Sequence, residues 1–258
     1  MISIIVPVYN DPDGIQTTLD PLLSQPIDLL DQITVVDNGS TDTTCDVIKD
    51  YTDEHDNIKL LVEDEIQGSY AARNKGLKNT DSDVVAFLDA DETVDEDWLQ
   101  KAIGAMNEQD VDYLGCNVEV TLPEDTLVGR YNVRTGFPVK QYLEEQHYAP
   151  TCALLVRRKV FDDVGLFDAR LISGGDREFG ERVHKAGYDQ GYAEDAVVSH
   201  PARTQFPSLA KKNFRVGRGF CQKQRSSPER YGNPGIPPTP SGSGTNENAD
   251  EPDALTTR

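Results

Sequence analysis

The stretch that determines the fold is ISIIVPVYN at residues 2–10, an aliphatic run that ends in polar residues. Similar apolar runs recur up to about residue 90, and segments with helical spacing separate them. We expect strands at 2–6, 33–36, 58–62 and 84–88, with the first ended by Pro7, and helices at 13–23, 43–51 and 68–78. Such alternation forms βαβ units, so the sequence predicts an α/β fold with a mainly parallel sheet flanked by helices.

The second half of the chain has a less regular pattern. It predicts strands at 113–120, 152–156 and 196–199 and helices at 95–106, 176–186 and 208–224. From residue 226 onward Pro, Gly, Ser and Asn predominate, and such a segment cannot bury an apolar face. We therefore expect a single domain at 1–226 and a disordered tail at 227–258.

The composition excludes several classes of protein. Among 258 residues, 45 are acidic and 25 basic, which gives a formal charge of −20. A nucleic-acid partner is excluded because neutralising phosphates requires a basic surface. The four cysteines are scattered without the spacing of a disulfide framework or a zinc site. The acid excess predicts a halophilic-type protein whose melting temperature rises in molar salt, where repulsion is screened.

The start of the chain and its apolar runs indicate where the protein resides. The first strand begins at residue 2 without a basic flank or cleavage site, so we expect no secretory signal. No apolar run approaches the ~18 residues of a spanning helix. The sequence therefore predicts a cytoplasmic protein.

Polar residues follow three of the predicted strands. They are VPVYN at 6–10, VDNGSTD at 36–42 and FLDAD at 87–91. Ligands of parallel sheets bind outside the carboxyl ends of the strands. We therefore expect these three segments to line one cleft.

Asp89 and Asp91 are two residues apart on a chain that leaves a strand, so both side chains can point the same way. Two converging carboxylates repel each other unless a cation lies between them. Mg²⁺ or Mn²⁺ prefers oxygen ligands and keeps positions for phosphate oxygens. The alternative is an acidic turn that caps the following helix.

Two further residues are candidate nucleotide ligands. Asp37 can accept a hydrogen bond from a base N–H or a ribose hydroxyl, or it can form an Asx turn. Arg73 lies on a predicted helix whose small residues, Gly68, Ala72 and Gly76, are four apart and permit a close approach. It would donate to a phosphate or a base, or it is an exposed arginine on a closely packed helix.

Three residues of the second half carry the remaining chemistry. Asp176 follows two glycines and is either a general base lifted into the cleft or a helix N-cap. Glu178 competes for the base role, and otherwise it is a charge in the first helical turn. His200 is a third metal ligand or a diphosphate contact, or a histidine with its hydrogen bonds satisfied at a strand end.

Taken together, these segments resemble the inverting family 2 glycosyltransferases of the GT-A fold over about residues 2–219. Besides the three strand ends, the matching segments are ARNKG at 72–76, VGLFD at 164–168 and GDREF at 175–179. Family members more often have Glu-Asp where this chain has Gly175-Asp176.

The resemblance implies transfer of a sugar from a nucleoside-diphosphate sugar, with UDP as the expected nucleotide, to an acceptor hydroxyl. It implies that residues 1–110 bind the donor and residues 111–226 the acceptor. Carried over by position, the nucleotide-binding residues are Pro7, Tyr9, Asn10, Asp37 and Arg73. Asp89 would lie near the ribose or the metal, Asp91 and His200 would hold Mg²⁺ or Mn²⁺, and Asp176 would be the base.

The acceptor side has one distinctive feature, a basic segment at 206–226 without any acid. Its cations are Lys211, Lys212, Arg215, Arg218, Lys223 and Arg225. This segment would contact an anionic membrane peripherally or meet a lipid-linked acceptor, or it is a surface helix paired with the acidic body. The expected acceptor is a polyisoprenyl-phosphate-linked glycan of protein glycosylation or surface polysaccharide synthesis. The rival interpretation is a catalytically inactive protein that binds sugar nucleotides or acts as a scaffold.

Overall fold

The computed structural model describes residues 1–26 and 28–233. The first half contains β1 (Ile2–Val8), α1 (Pro12–Leu22), β2 (Leu30–Asp37), α2 (Thr44–Glu54), β3 (Ile58–Val62), α3 (Ser69–Leu77), β4 (Val84–Phe87), β5 (Thr93–Val94) and α4 (Trp98–Glu108). The second half contains β6 (Tyr113–Thr121), α5 (Leu127–Thr135), α6 (Val139–Gln146), a 3₁₀ turn (Thr151–Ala153), β7 (Leu154–Arg157), α7 (Arg158–Val164), α8 (Gly175–Lys185), β8 (Gln190–Pro201), α9 (Phe206–Ser226) and α10 (Pro228–Tyr231).

All eight strands belong to one sheet, in the order β3-β2-β1-β4-β7-β6-β8-β5. The pairs β1–β2, β2–β3, β1–β4 and β6–β8 are parallel. The pairs of β7 with β4 and β6, and of β5 with β8, are antiparallel. The predicted mainly parallel sheet is confirmed, and β2, β1 and β4 are neighbours, so their carboxyl ends reach one edge together.

The core forms because helices cover both faces of the sheet. Every residue of β1 and β4 is buried, as expected for strands packed on both sides. Helix α4 buries the apolar stripe that the sequence indicated, namely Trp98, Leu99, Ala102 and Met106. Burial of these runs drives folding and fixes the strand ends relative to one another.

Strand β1 continues through Pro7 to Val8, which corrects the expected end at residue 6. Leu88 N–H donates to the carbonyl of Ile5, whereas Asn38 N–H donates to that of Val8. Backbone groups alternate in direction along a strand, so the nitrogen of Pro7 faces the β4 side, where pairing ends at Ile5 with Phe87. The missing N–H therefore costs no ladder hydrogen bond.

Three helices of the second half, α5, α6 and α7, were not predicted. Helix α5 buries only Gly129 and Asn132, and α6 only Val139 and Leu143, so neither shows an apolar period. Strand β8 has twelve residues where four were expected. Its pairing with β6 shifts register where Glu194 and Asp195 interrupt the alternation of apolar residues.

The chain divides into a unit Met1–Phe220 and a second unit that begins at Cys221. The expected disorder from 227 is corrected at its start, because Pro228–Tyr231 forms a short helix with Pro at its first position. The rest of the predicted tail, 234–258, lies outside the described residues. Over the part that is described, no helix is long and apolar enough to cross a membrane.

Glycine 76 allows α3 to approach β1. A Cβ at Gly76 would lie 2.7 Å from Cγ2 of the fully buried Ile5. We predict that Gly76→Ala lowers the free energy of unfolding by about 1–3 kcal/mol, since overpacking outweighs the gain in helix propensity. Gly104→Ala in α4, where a Cβ meets nothing within 4 Å, should instead raise it by about 0.5–1 kcal/mol. Urea denaturation of both variants measures the difference, and equal effects would contradict this packing.

Candidate active site

A cavity of about 450 Å³ lies where the carboxyl ends of β1 and β4 meet the start of α8 and one side of α9. Seven of the nine predicted site residues line it, namely Pro7, Tyr9, Arg73, Asp89, Asp91, Asp176 and His200. Asn10 and Asp37 are not among its lining residues. A larger cavity of about 570 Å³ between α4 and β8 contains none of the nine, so the candidate site is the smaller one.

The acidic side of the cavity is a turn that buried side chains hold. Asp91 has a left-handed backbone with φ of 85°, a conformation that aspartate tolerates. This left-handed backbone differs from the extended backbone that the two-residue spacing of Asp89 and Asp91 led us to expect. Fully buried Glu92 accepts a 2.7 Å hydrogen bond from Asp89 N–H, and Thr18 Oγ1 donates to the carbonyl of Glu92. The turn is therefore fixed before any ligand arrives.

The negative charge of this turn is balanced only in part by cations of the protein. Burial, together with the negative charges of Asp89 and Asp11, raises the pKa of Asp91 to about 7, while Arg203 acts in the opposite direction. Asp11, the N-cap of α1, is a third carboxylate that the sequence reasoning did not assign. Such an arrangement favours a bound cation, whose charge would stabilise the ionised carboxylates.

The pairing of β5 with β8 brings His200 to this turn. Thr93 pairs with Ser199, so His200 follows directly, with its Nδ1 3.8 Å from Asp91 Oδ1. Burial lowers the pKa of His200 to about 4, so the imidazole is neutral. Its buried Nδ1 has no hydrogen-bond partner, whereas the alternative of a satisfied histidine requires one.

The pair Asp91 and His200 fits a divalent cation, because a carboxylate oxygen and an unpartnered neutral imidazole are both metal ligands. Within 1–26 and 28–233, no three His, Cys, Asp or Glu residues are grouped closely enough to hold a metal alone. The protein would thus supply part of the coordination shell, and the other positions would remain for phosphate oxygens and water.

Arg73 is neither exposed nor directed at open space. It is 2% exposed and forms an ion pair with Asp89, and its guanidinium lies 5.8 Å from the centre of the Tyr70 ring. The small face of α3 packs against Ile5 of β1 at Gly76, so the close approach expected there is made by the protein itself. Arg73 therefore fixes Asp89 within the lining of the cavity.

Asn10 and Asp37 connect the ends of β1 and β2. Asp37 is buried and accepts hydrogen bonds from the N–H groups of Gly39 and Ser40, which is the Asx turn considered as its alternative. Asn10 Oδ1 accepts from Thr41 N–H at 2.8 Å. Both residues shape the loops beside the cavity, where Tyr9 remains 51% exposed.

Of the two acidic residues in the first turn of α8, Asp176 lines the cavity and Glu178 does not. The N-cap is Gly174, with φ of 76°, so Asp176 lies in the first turn and is not the N-cap. Arg182 binds both oxygens of Glu178, at 2.9 and 3.1 Å. Only Asp176 of the two lines the cavity, so the geometry favours it as the candidate base.

Basic side chains also line the cavity near His200, namely Arg203, Lys212 and Arg215. Nε of Arg203 is buried without a hydrogen-bond partner. Burial lowers the pKa of Lys212, and the charges of Arg203 and Arg215 lower it further. Cations that repel one another and have unsatisfied hydrogen-bond donors are suited to bind an anionic ligand such as a phosphate. Sequence reasoning missed Arg203 because it lies in a connection without a motif.

Comparison with known proteins agrees with these observations. The family model "Glycosyl transferase family 2" matches residues 3–165. A glycosyltransferase of Haloferax volcanii, AglE, is 40% identical over 223 residues, which cover 86% of this chain and 73% of AglE. The pre-mycofactocin glycosyltransferase of Mycobacterium tuberculosis is 29% identical over 226 residues. The match covers 84% of this chain and 46% of that relative, so the chain spans less than half of its length.

Solved structures share the fold. The Staphylococcus aureus protein TarS, residues 1–349, in complex with UDP-GlcNAc, superposes with a TM-score of 0.64 at 19% identity, covering 88% of this chain and 66% of that one. The mannosyltransferase PcManGT of Pyrobaculum calidifontis, in complex with GDP-Man and Mn²⁺, superposes with a TM-score of 0.66 at 20% identity, covering 87% and 64%. Both are GT-A proteins, so the expected GT-A architecture is confirmed.

The two carboxylates of the acidic turn contribute oppositely to stability. Asp89→Asn leaves Arg73 buried without a counter-charge, so it should lower the free energy of unfolding by about 1–3 kcal/mol. Asp91→Asn removes a repelled charge and should leave stability unchanged or raise it. Denaturant unfolding in EDTA at pH 8 compares them, and an equal loss in both variants would contradict the charge arrangement described.

Proposed function

We propose a specific reaction for this chain, which belongs to glycosyl transferase family 2 and is therefore a glycosyltransferase. It moves a sugar from a nucleoside-diphosphate sugar to an acceptor hydroxyl and inverts the anomeric carbon. The observation that carries the proposal is that an acidic turn, a separate carboxylate and, besides Arg73, three cations line one cavity. These are the groups that a diphosphate leaving group and a hydroxyl nucleophile need.

Asp91 and His200 are proposed to hold Mg²⁺ or Mn²⁺ against the donor's diphosphate. Held by Asp91 and His200, such an ion would supply positive charge that offsets the charge of the donor's diphosphate. The match to a GT-A mannosyltransferase solved with GDP-Man and Mn²⁺ supports this choice of ion. Pro7 and Tyr9 line the nucleotide side, while Asn10 and Asp37 act by shaping its loops.

The leaving diphosphate also gains negative charge that the protein must neutralise. Arg203 and Lys212 are proposed to do so, since both line the cavity and Arg203 has an unused buried Nε. Arg73, the residue predicted to donate to a phosphate, lines the same cavity and is paired with Asp89, and its Nε is likewise without a partner among the described residues. Arginine is suited to this role, since guanidinium neutralises phosphate charge without a proton transfer.

Asp176 is proposed to take the proton of the acceptor hydroxyl while its oxygen attacks the sugar. The N-terminus of α8 favours the ionised carboxylate, which keeps the base ready but lowers its basicity. Close placement of the acceptor hydroxyl beside Asp176 then supplies most of the rate enhancement of the proton transfer. One displacement from the side opposite the diphosphate inverts the anomeric centre.

We predict that Asp176→Asn lowers kcat on the order of 10²–10⁴-fold, because the general base is lost. Asp91→Ala should abolish the stimulation of activity by Mn²⁺. The matched control Glu178→Gln should retain kcat within about threefold, since Arg182 holds Glu178 away from the cavity. Release of nucleoside diphosphate from a panel of UDP- and GDP-sugars measures all three. Full turnover by Asp176→Asn would refute the base, and no release by the native protein with any donor would favour a binding or scaffold protein.

Helix α9 places basic residues on two faces, which bears on the acceptor. Lys212 and Arg215 line the cavity. Lys211, Phe214 and Arg218 are spaced three and four apart on another face, where the Phe214 side chain is 70% exposed. None of these cations forms an ion pair within the described part of the chain, so pairing with the acidic body does not account for them.

The outward face of α9, defined by Lys211, Phe214 and Arg218, is proposed to contact an anionic lipid surface. Each cation near such a surface is worth about 1 kcal/mol, and the phenyl ring adds apolar burial. This contact would hold the cavity beside a polyisoprenyl-phosphate-linked glycan. The acceptor hydroxyl would then reach Asp176 from the membrane side.

The triple variant Lys211→Ser/Phe214→Ser/Arg218→Ser should bind vesicles containing 30% anionic lipid on the order of tenfold more weakly than the native protein. Flotation in salt that keeps the protein folded measures binding. The control Ile66→Ser/Lys78→Ser/Lys185→Ser changes the same charge on exposed positions elsewhere and should bind normally. Equal losses in both variants, or no flotation of the native protein, would contradict the membrane contact.

A further inference from the structure

We infer that Tyr70 is a positioning residue that holds the carboxylate of Asp176 in its reactive orientation. The inference rests on the proposed role of Asp176 as base. Tyr70 lies on α3, more than a hundred residues before Asp176 in the chain, and its side chain is almost fully buried. Its hydroxyl reaches the first turn of α8.

The Tyr70 hydroxyl replaces the missing cap of α8. The N-cap of this helix is Gly174, which has no side chain to accept the first N–H groups. Gly175 N–H donates to the Tyr70 hydroxyl at 2.9 Å, and Asp176 N–H does so at 3.4 Å. The start of α8 is thus fixed by a residue of another helix.

The same hydroxyl contacts the carboxylate directly. Tyr70 donates to Asp176 Oδ1 at 3.5 Å, and Arg177 N–H donates to that oxygen at 2.9 Å. Two donors on one oxygen fix the plane of the carboxylate and stabilise its ionised form. Burial raises the pKa of Tyr70 far above its ordinary value, so the phenol keeps its proton and acts as a donor.

Packing prevents the Tyr70 ring from moving away. A Cβ at Gly175 would lie 2.8 Å from two ring carbons of Tyr70, so a side chain at that position would displace the ring. Phe167 packs on the ring at a centroid distance of 5.9 Å, and Arg73 lies over it while bound to Asp89. Tyr70 therefore connects the acidic turn to the base through rigid contacts.

Several groups that are electrostatically coupled to Asp176 do not titrate over the assay range. Besides Tyr70 and the permanently charged Arg177, three tyrosines respond to the Asp176 charge, namely Tyr113 of β6, Tyr142 of α6 and Tyr148. Burial raises the pKa of all three, so they stay neutral over the assay range. Asp91 and His200 line the same cavity and also titrate in the acidic range, so the limb reports on Asp176 only as a difference between Tyr70→Phe and a control variant that leaves those two residues unchanged.

The test compares Tyr70→Phe with Tyr113→Phe. Tyr113 is also a buried tyrosine, and its hydroxyl accepts from Ala149 N–H at 2.9 Å and forms no hydrogen bond with Asp176 within the described residues, although it senses the charge of Asp176. Tyr70→Phe should lower kcat about tenfold, leave the donor KM unchanged, and move the acidic limb of the kcat profile up by about 0.5–1 pH unit. Tyr113→Phe should keep both kcat and the limb, even if both variants lose a similar amount of thermal stability.

Each result decides a separate point. A native kcat and pH profile in Tyr70→Phe, while Asp176→Asn is inactive, would overturn the positioning role and leave the proposed function intact. Equal changes of kcat and of the pH profile in Tyr70→Phe and Tyr113→Phe would show that Tyr70 has only a structural role. If Asp176→Asn were active, the base assignment and this inference would both fail. In the Asp176→Asn background, adding Tyr70→Phe should lower the residual activity no further, because the carboxylate it positions is gone.

Discussion

The constraint on which the site depends is a carboxylate cluster whose charge the protein's own cations balance only in part. Asp91 lies in a left-handed turn, half-buried between Asp89 and Asp11, and its pKa rises to about 7. Arg73 is paired with Asp89, and Arg203 lowers the pKa of Asp91 only in part. The cluster is therefore pre-organised for a divalent ion and, through it, for a diphosphate.

The remaining charges follow from that arrangement. Cations of the β8–α9 connection and of α9 line the same cavity and offer donors to the phosphate oxygens. Asp176 lies apart from the acidic turn at the start of α8, so a base and a leaving-group site are held by different elements. Contacts of α3, through Arg73 and Tyr70, reach both elements and keep their relative position constant.

The sequence predicted what local patterns encode. Alternation of apolar runs and helices led to the parallel sheet, and polar strand ends led to Pro7, Tyr9, Asp89 and Asp91 at one cleft. It could not predict the ion pair of Arg73 with Asp89 or the contact of Tyr70 with α8, because these depend on how α3 is rotated against the sheet. The placement of Asn10 and Asp37 at the nucleotide stays a prediction: one oxygen of each side chain accepts from a backbone N–H, and Oδ1 of Asp37 has no partner among the residues that the structure describes. Helices α5 and α6 bury too few apolar residues to show a period.

Isothermal titration calorimetry with UDP- and GDP-sugars, with Mn²⁺ and with EDTA, tests the central claim most directly. The account predicts that one donor binds at least about tenfold more tightly with Mn²⁺, a gain of about 1.4 kcal/mol, and that Asp91→Ala removes the gain. Equal affinity with Mn²⁺ and EDTA, or a gain that persists in Asp91→Ala, would contradict the carboxylate cluster as the place where cation and diphosphate meet.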